Sequence, residues 1–383
     1  MKKILAMLLA LVMVLGLAAC GAPAAEAPAA SEAAYKVAMV TDYGDITDQS
    51  FNQTTYEACK AYAEANNVEF TYYKPAGDSD AERVAMIEKA VDEGYNVIVL
   101  PGFAFAAAIA TAAPQYPDVK FIALDVSEFD LTSAGLTAET MTNVYSAVYQ
   151  EELSGYMAGY AAVKLGYTKL GFLGGMAVPA DQKFGYGFVQ GADAAAKELN
   201  TTVDMNYIYG GLFYGTADIT AVMDTWYQGG TQVVFACGGG IYTSAVDAAK
   251  KVEGAKVIGV DVDQAGVIAN YAGDADTSLT VTSAMKGLYP TTVDTLTDVI
   301  NNGNWAKYAG KVATLGLVSG DDPTANYVQI PMESTQWSDT FTQDDYKAMV
   351  KAMFDGTIVV SGDVSAEPAV TNVNVDYQGQ IVG

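Results

Sequence analysis

The densest run of chemistry-bearing residues in this 383-residue sequence is Asp42-Tyr43-Gly44-Asp45-Ile46-Thr47-Asp48-Gln49-Ser50-Phe51-Asn52. Carboxylates at 42, 45 and 48 can accept hydrogen bonds from a ligand, or begin a cation site or an acid–base pair. Asp48 and Ser50 equally suit the start of a helix, and Gly44 suits a turn. Phe51 either packs on a sheet or faces outward to stack on a planar ring. Two more acids each close an apolar run: Asp125 ends FIALD and Asp261 ends VIGVD, 136 positions apart (261 − 125). Glycines hold comparable places at Gly102, Gly174, Gly175 and Gly238 to Gly240.

Composition removes many alternatives. Histidine is absent, which excludes Ser-His-Asp and Cys-His catalysis and any His-ligated metal. A net charge of −25 excludes nucleic acid as a partner, because phosphate binding needs clustered Lys and Arg. Glycine clusters such as Gly238 to Gly240 can form a phosphate nest. With so few basic residues nearby, close backbone approach to a sugar is the better reading. No bidentate acid follows Asp42, Asp45 and Asp48 at the spacing a cation loop needs. No cofactor is implied. Besides Cys20, the cysteines are Cys59 and Cys237, expected in a helix of one lobe and a strand of the other, so a disulfide framework is not expected.

The elements that must position these residues alternate between short apolar runs and longer stretches of helical spacing, the pattern of parallel sheets with crossover helices. Strands are expected at 36–41, 68–73, 96–100 and 120–124, with helices over 50–66 and 81–93. The order then repeats: strands at 169–173, 203–209, 232–236 and 256–260, helices at 183–199, 216–227 and 242–252. YNVIVLPGFAF from Tyr95 matches TQVVFACGGG from Thr231, and VKFIALDVSEFD from Val119 matches AKVIGVDVDQAG from Ala255. Both offsets are 136 (231 − 95 and 255 − 119), which indicates a duplicated lobe. Further on, a strand near 279–283, a helix over 285–301, β-rich stretches at 312–318 and 327–330, and a closing helix over 344–354 are expected.

The first twenty residues read as an export signal: Lys2, Lys3, an apolar run from Ile4 to Leu17, then small residues. That run falls short of the ~20 apolar residues of a membrane span. Leu17-Ala18-Ala19-Cys20-Gly21 resembles the bacterial lipoprotein signal, so Cys20 is expected to carry lipid. Residues 21–34 are Ala, Pro, Glu, Ser and Gly, a disordered tether. The remaining ~350 residues exceed a single core, so two domains are expected. The division is 35–150 for an N-terminal lobe, 151–304 for a C-terminal lobe, and 305–383 for segments that return across the hinge and close with a helix.

The fold class is therefore α/β, two Rossmann-like lobes joined by a hinge. In open parallel sheets, ligands bind outside the carboxyl ends of the strands, where Asp42, Gly102, Asp125, Gly174, Gly238 and Asp261 all fall. Two such edges facing each other form a cleft whose closure buries a ligand.

DYGDITDQSFNQ from Asp42, EELSGYMAGYAA from Glu151, KFGYGFVQGA from Lys183, GVDVDQ from Gly259 and TSAMK from Thr282 together resemble the basic membrane protein family. The similarity runs from Tyr35 to about Asn304. The resemblance implies a periplasmic-binding-protein type I fold and a purine nucleoside-binding lipoprotein of an ABC importer. It implies that Phe51 stacks on the base, that Asp42 and Asn52 read the base edge, and that Asp125 and Asp261 accept from ribose hydroxyls, with Lys286 neutralising or donating. Asn52 alternatively finishes a helix turn, and Asp261 alternatively pairs with Lys286. Phe213, after the Gly210-Gly211 turn, is the first choice for a second stacking ring, and Phe184, which alternatively belongs to the core, the second. The sequence has LFYGT where many members place an aspartate two residues beyond that aromatic. Implied partners are the nucleoside, a permease and an ATPase, with the membrane reached only through lipid and the chain acting as a monomer. A sugar receptor, a sensor or adhesin of the same fold, and an exported carboxylate-based nucleosidase stay open as alternatives.

Overall fold

The computed structural model describes residues 35–137, 139–274 and 276–382; the leader, Cys20 and the tether lie outside the described residues. In the first half, β1 (Lys36–Val40), β2 (Glu69–Tyr73), β3 (Val97–Pro101), β4 (Lys120–Leu124) and β5 (Val144–Tyr149) alternate with α1 (Phe51–Asn66), α2 (Asp80–Asp92), α3 (Ala106–Ala112) and α4 (Glu128–Ser133). All pairings among these strands are parallel. Every residue of β3 is buried, as expected for a central strand covered on both faces.

The second half runs α5 (Glu151–Lys164), β6 (Lys169–Gly174), α6 (Pro179–Glu198), β7 (Val203–Tyr209), α7 (Ala217–Gln228), β8 (Val233–Cys237), α8 (Tyr242–Ala249), β9 (Lys256–Asp261), α9 (Ala265–Ala272) and β10 (Thr280–Lys286). After these come α10 (Leu288–Leu296), α11 (Trp305–Tyr308), β11 (Lys311–Leu315), β12 (Val328–Gln329), α12 (Gln343–Phe354) and β13 (Val373–Gln380). The sheets are ordered β11-β5-β4-β3-β1-β2 and β12-β10-β9-β8-β6-β7-β13. In each, the first strand of the lobe lies between its second and third, so the order reverses there and a crevice opens at the strand ends. This is the two-lobed α/β architecture expected from the sequence.

The duplication extends to backbone geometry. Asp125 (φ 58) and Asp261 (φ 66) both adopt the left-handed conformation at equivalent strand ends. Aspartate tolerates this region better than most residues, and the shared conformation is a further trace of the duplication.

Two of the glycine-spaced motifs serve packing. A Cβ at Gly155 or Gly159 of α5 would lie 2.2 or 2.1 Å from the carbonyl oxygens of Phe184 and Phe188 on α6. Conversely, Cβ atoms at Gly187 and Gly191 of α6 would lie 2.1 and 2.0 Å from Glu152 O and Tyr156 O on α5. The two helices therefore meet backbone to backbone, and only glycine fits the four contacts.

Among the described residues the chain passes between lobes three times. Gln150 N donates to Leu315 O at 2.9 Å, Gly287 N to Tyr327 O at 2.6 Å, and Tyr327 N to Gly316 O at 3.1 Å, so the three passages are laced together as a waist. The C-terminal lobe does not extend to 304 as expected. The chain leaves its sheet after Lys286, α10 packs on α1, and β11 joins the first sheet beside β5. The expected helix over 285–301 begins at Leu288 because Met285 and Lys286 complete β10.

Candidate functional site

Asp42 follows β1, and its carboxylate is held by Gly44 N (2.5 Å) and Asn52 Nδ2 (3.2 Å). Gly44 and Gly102 make its space: a Cβ at either would sit 2.9 Å from an Asp42 oxygen. Burial lifts its pKa to about 6, with Asp48 adding to the rise, while Gly44, Asn52 and Arg83 oppose it. Asp48 is the helix cap, accepting from Ser50 N (2.9 Å), Asn52 N (2.9 Å) and Gln53 N (3.0 Å). Ser50, equally suited by sequence to capping, makes no cap bond. Its Oγ instead reaches Asp261 Oδ2 at 2.6 Å, across the cleft. Asp45 pairs with Lys74 at 2.5 Å. Asn52 Nδ2 is shared between Asp42 and Asp48 while Asp45 turns to Lys74, and among the described residues no group of three or more His, Cys, Asp or Glu gathers to hold a metal.

Lys286, at the end of β10, joins the two duplicated aspartates. Its ammonium donates to Asp125 Oδ2 and lies 3.5 Å from Asp261 Oδ1. Burial alone would lower its pKa, but Asp125, Asp261 and Glu151 hold it well above the ordinary lysine value, so it stays charged. The alternative of an Asp261–Lys286 ion pair is realised alongside the cleft position of both groups. Asp125 Oδ1 and Asn52 Oδ1 are buried without a hydrogen-bond partner. Buried acceptors are rarely left so, and both residues line the cavity.

Phe51 lines the cavity from the first lobe and Phe213 from the second. Lys286 Nζ lies 4.7 Å from the Phe51 ring centre, a cation–π contact that fixes the ring's orientation. Phe213 lies in a slot made by two glycines, since a Cβ at Gly175 would meet its ring at 2.4 Å and one at Gly238 at 2.9 Å. Gly238 thus makes room for an aromatic ring, and it also lines the cavity. Phe184 does not line the cavity: it is 1% exposed and packs edge-on against Phe235 at 6.1 Å.

Among the cavity-lining groups not singled out from sequence are Tyr43, Asp181 and Glu151. Tyr43 lies against Phe213, with ring centres 6.3 Å apart, and its hydroxyl donates to Met176 Sδ at 3.5 Å. Its position beside Asp42 in the polar loop was the available signal. Asp181 accepts from Gly175 N (2.8 Å) and Met176 N (3.2 Å), and burial raises its pKa well above the carboxylate range. Glu151, 1% exposed and 3.5 Å from Lys183, is pushed up to about 8 by burial, with nearby Asp125 adding to the rise. Both acids stand in first turns of helices, where sequence alone reads them as complementing the helix dipole.

The cavity measures about 370 Å³, within the range of small-molecule sites. Eight acidic side chains and three lysines line it, so anionic ligands are disfavoured. Aromatic faces with buried acceptors suit a neutral molecule that is flat in one part and rich in hydroxyl or N–H donors in another. Further bonds cross the cleft from Gln264 Nε2 to Gln49 O (3.1 Å) and from Lys183 Nζ to Tyr149 O (3.1 Å), so the lobes touch at several points around it.

Comparison with known proteins agrees with this architecture. A solute-binding protein of an ABC transporter system from Aeropyrum pernix K1 superposes with a TM-score of 0.66 at 21% identity, covering 85% of this chain and 87% of that one. One from Conexibacter woesei gives 0.63 at 21%, covering 86% and 99%. In sequence, the chain is 28% identical over 298 residues to the ABC transporter nucleoside-binding protein BmpA of Lactococcus lactis, covering 74% of this chain and 80% of that protein. It is 28% identical over 233 residues to basic membrane protein A of Borreliella burgdorferi, covering 60% and 64%. An uncharacterized lipoprotein of Pyrococcus furiosus is 26% identical over 333 residues, covering 82% and 77%. Residues 35–356 match the family model described as Bmp, ABC transporter substrate-binding protein PnrA-like, and the chain belongs to that family of substrate-binding proteins.

Proposed function

We propose that this substrate-binding protein captures a purine nucleoside in the interlobe cleft, outside the cytoplasmic membrane, and delivers it to a permease driven by an ATPase. The observation that carries the reading is the meeting, in one cavity, of an aromatic ring from each lobe with the buried, unpartnered acceptors Asp125 Oδ1 and Asn52 Oδ1. Phe51 and Phe213 hold the base by stacking, Asp42 and Asn52 take its edge N–H groups, and Asp125 takes ribose hydroxyls. Asp261 and Lys286 complete the polar end, Asp261 with fewer free lone pairs because Ser50 already uses one oxygen. The similarity to a nucleoside-binding protein of Lactococcus lactis supports the same ligand class.

The protein acts as a monomeric receptor and not as a nucleosidase, anchored through lipid on Cys20. The signal-like leader and the similarity to a lipoprotein of Pyrococcus furiosus support the anchor. Calorimetric titration with inosine, guanosine, adenosine and ribose tests the ligand. Tight binding of nucleosides with weak binding of ribose is expected; tight ribose binding without preference for nucleosides would make this a sugar receptor. Release of free base during incubation would make it an enzyme.

A further inference from the structure

The residues matched by the family model end at 356, yet the chain continues as an ordered strap over the second lobe. Ser361 N bonds Gln190 Oε1 at 2.9 Å, and Thr371 N and Asn372 N share Asp193 Oδ1, fastening the strap to α6. The strand β13 then adds to the sheet in parallel beside β7, its register running from Val373 on Val203 to Gln380 on Tyr209.

Past β13 the strap reaches the loop that carries Phe213. Ile381 N donates to Tyr209 O at 2.9 Å and Val382 N to Gly210 O at 3.1 Å. Val382 O lies so close to Gly211 (φ 85) that a Cβ there would approach it to 1.9 Å. On its inner side Gly210 N and Gly211 N bond Gly174 O and Gly175 O, and Gly240 N bonds Phe213 O. A loop with two glycines before the aromatic has many conformations to lose. Residues 381–382 close its outer side.

We propose that residues 380–382 are a positioning segment for ligand affinity: by clamping Gly210 and Gly211 they fix the Phe213 ring at the cavity wall. This deepens the nucleoside reading and rests on it. Its backbone bonds run to Tyr209 and Gly210, just before Phe213, so its effect on binding is expected to pass through that ring.

A double-mutant cycle reads that dependence, using inosine titration of the full chain, a chain ending at Gly379, Phe213→Ala, and the combination. The shortened chain keeps most of β13, and its ligand-free melting midpoint checks that the fold survives. Shortening alone is expected to weaken inosine binding about tenfold, comparable to losing one stacked ring. Shortening on top of Phe213→Ala is expected to cost nothing further. Gly211→Ala, in the uncut chain, should repeat the pattern, because its Cβ cannot coexist with Val382 O. Additive losses, or an uncut and a shortened chain that bind inosine equally, would overturn the proposal while leaving the nucleoside reading intact. A full chain that binds no nucleoside would overturn both.

Discussion

Ser50 Oγ donates to Asp261 Oδ2 at 2.6 Å, a buried bond between a helix start in one lobe and a strand end in the other. It exists because Asp48 caps α1 in place of Ser50, leaving the serine free to cross the cleft. Such a bond forms only when the lobes are together, and so favours the closed form by its full strength.

Removing it should therefore weaken binding. Ser50→Ala leaves a buried charged acceptor short of a donor and should cost about 1–3 kcal/mol of nucleoside affinity, expressed as faster dissociation. Stopped-flow release of inosine measures this. An unchanged release rate would show that the bond has no part in closure.

Asp125 and Asp261 share a backbone conformation but not a duty. Asp125 keeps an unpartnered oxygen, whereas both oxygens of Asp261 face Ser50 or Lys286. Asp125→Asn should cost about 1.5–3 kcal/mol in nucleoside binding, the worth of a charged hydrogen bond to a hydroxyl. Binding of the free base should be nearly unaffected. Equal losses for base and nucleoside would place the defect in packing.

The three phenylalanines separate cleanly. Phe51→Ala and Phe213→Ala should each cost about 1–3 kcal/mol of inosine affinity, the range for a stacked base. Phe184→Ala should instead cost about 3–5 kcal/mol of folding stability, because its ring is core. Denaturant unfolding beside titration distinguishes the two classes. A stable Phe184→Ala protein with impaired binding would return that ring to the site.

Much of this was legible in sequence because parallel strands leave short apolar runs whose carboxyl ends sit in the cleft. Asp42, Asp125, Asp261 and Gly238 were placed by that rule alone. Residues acting across the waist were not legible: nothing in the local pattern says that Ser50 will prefer Asp261 over its own helix. Strand β13 was missed although Val373, Val375 and Tyr377 alternate with polar residues, because the run is half exposed and lies at the sheet edge. Strand β5 was missed between two stronger signals, so the return of the chain after 305 was expected but not the strand that β11 pairs with. Phe184, left open between cleft and core by the sequence, lies in the core because the motif that supplies it, KFGYGFVQGA, is written for close helix packing against α5.

Asp42 gives a pH signature. Its folded pKa of about 6 lies above the ordinary 3.8, so between those values the folded protein holds a proton that the unfolded chain has lost. Folding stability therefore falls as pH rises from about 4 to about 6 and is level above. Binding runs the other way: a carboxylate accepting a base N–H must be ionised, so inosine affinity should rise between pH 5 and 7 with a midpoint near 6. Asp42→Asn should flatten that rise. Glu151 titrates higher, near 8, outside the window. A profile unaltered by Asp42→Asn would assign the proton elsewhere, with the buried Asp181 the next group to test.

A crystal structure with inosine tests the central claim most directly. The expected map has the purine between Phe51 and Phe213, its edge on Asp42 and Asn52, and ribose hydroxyls within hydrogen-bonding distance of Asp125 Oδ1. A nucleoside bound outside the cleft, or within it with its base away from both rings, would contradict that claim.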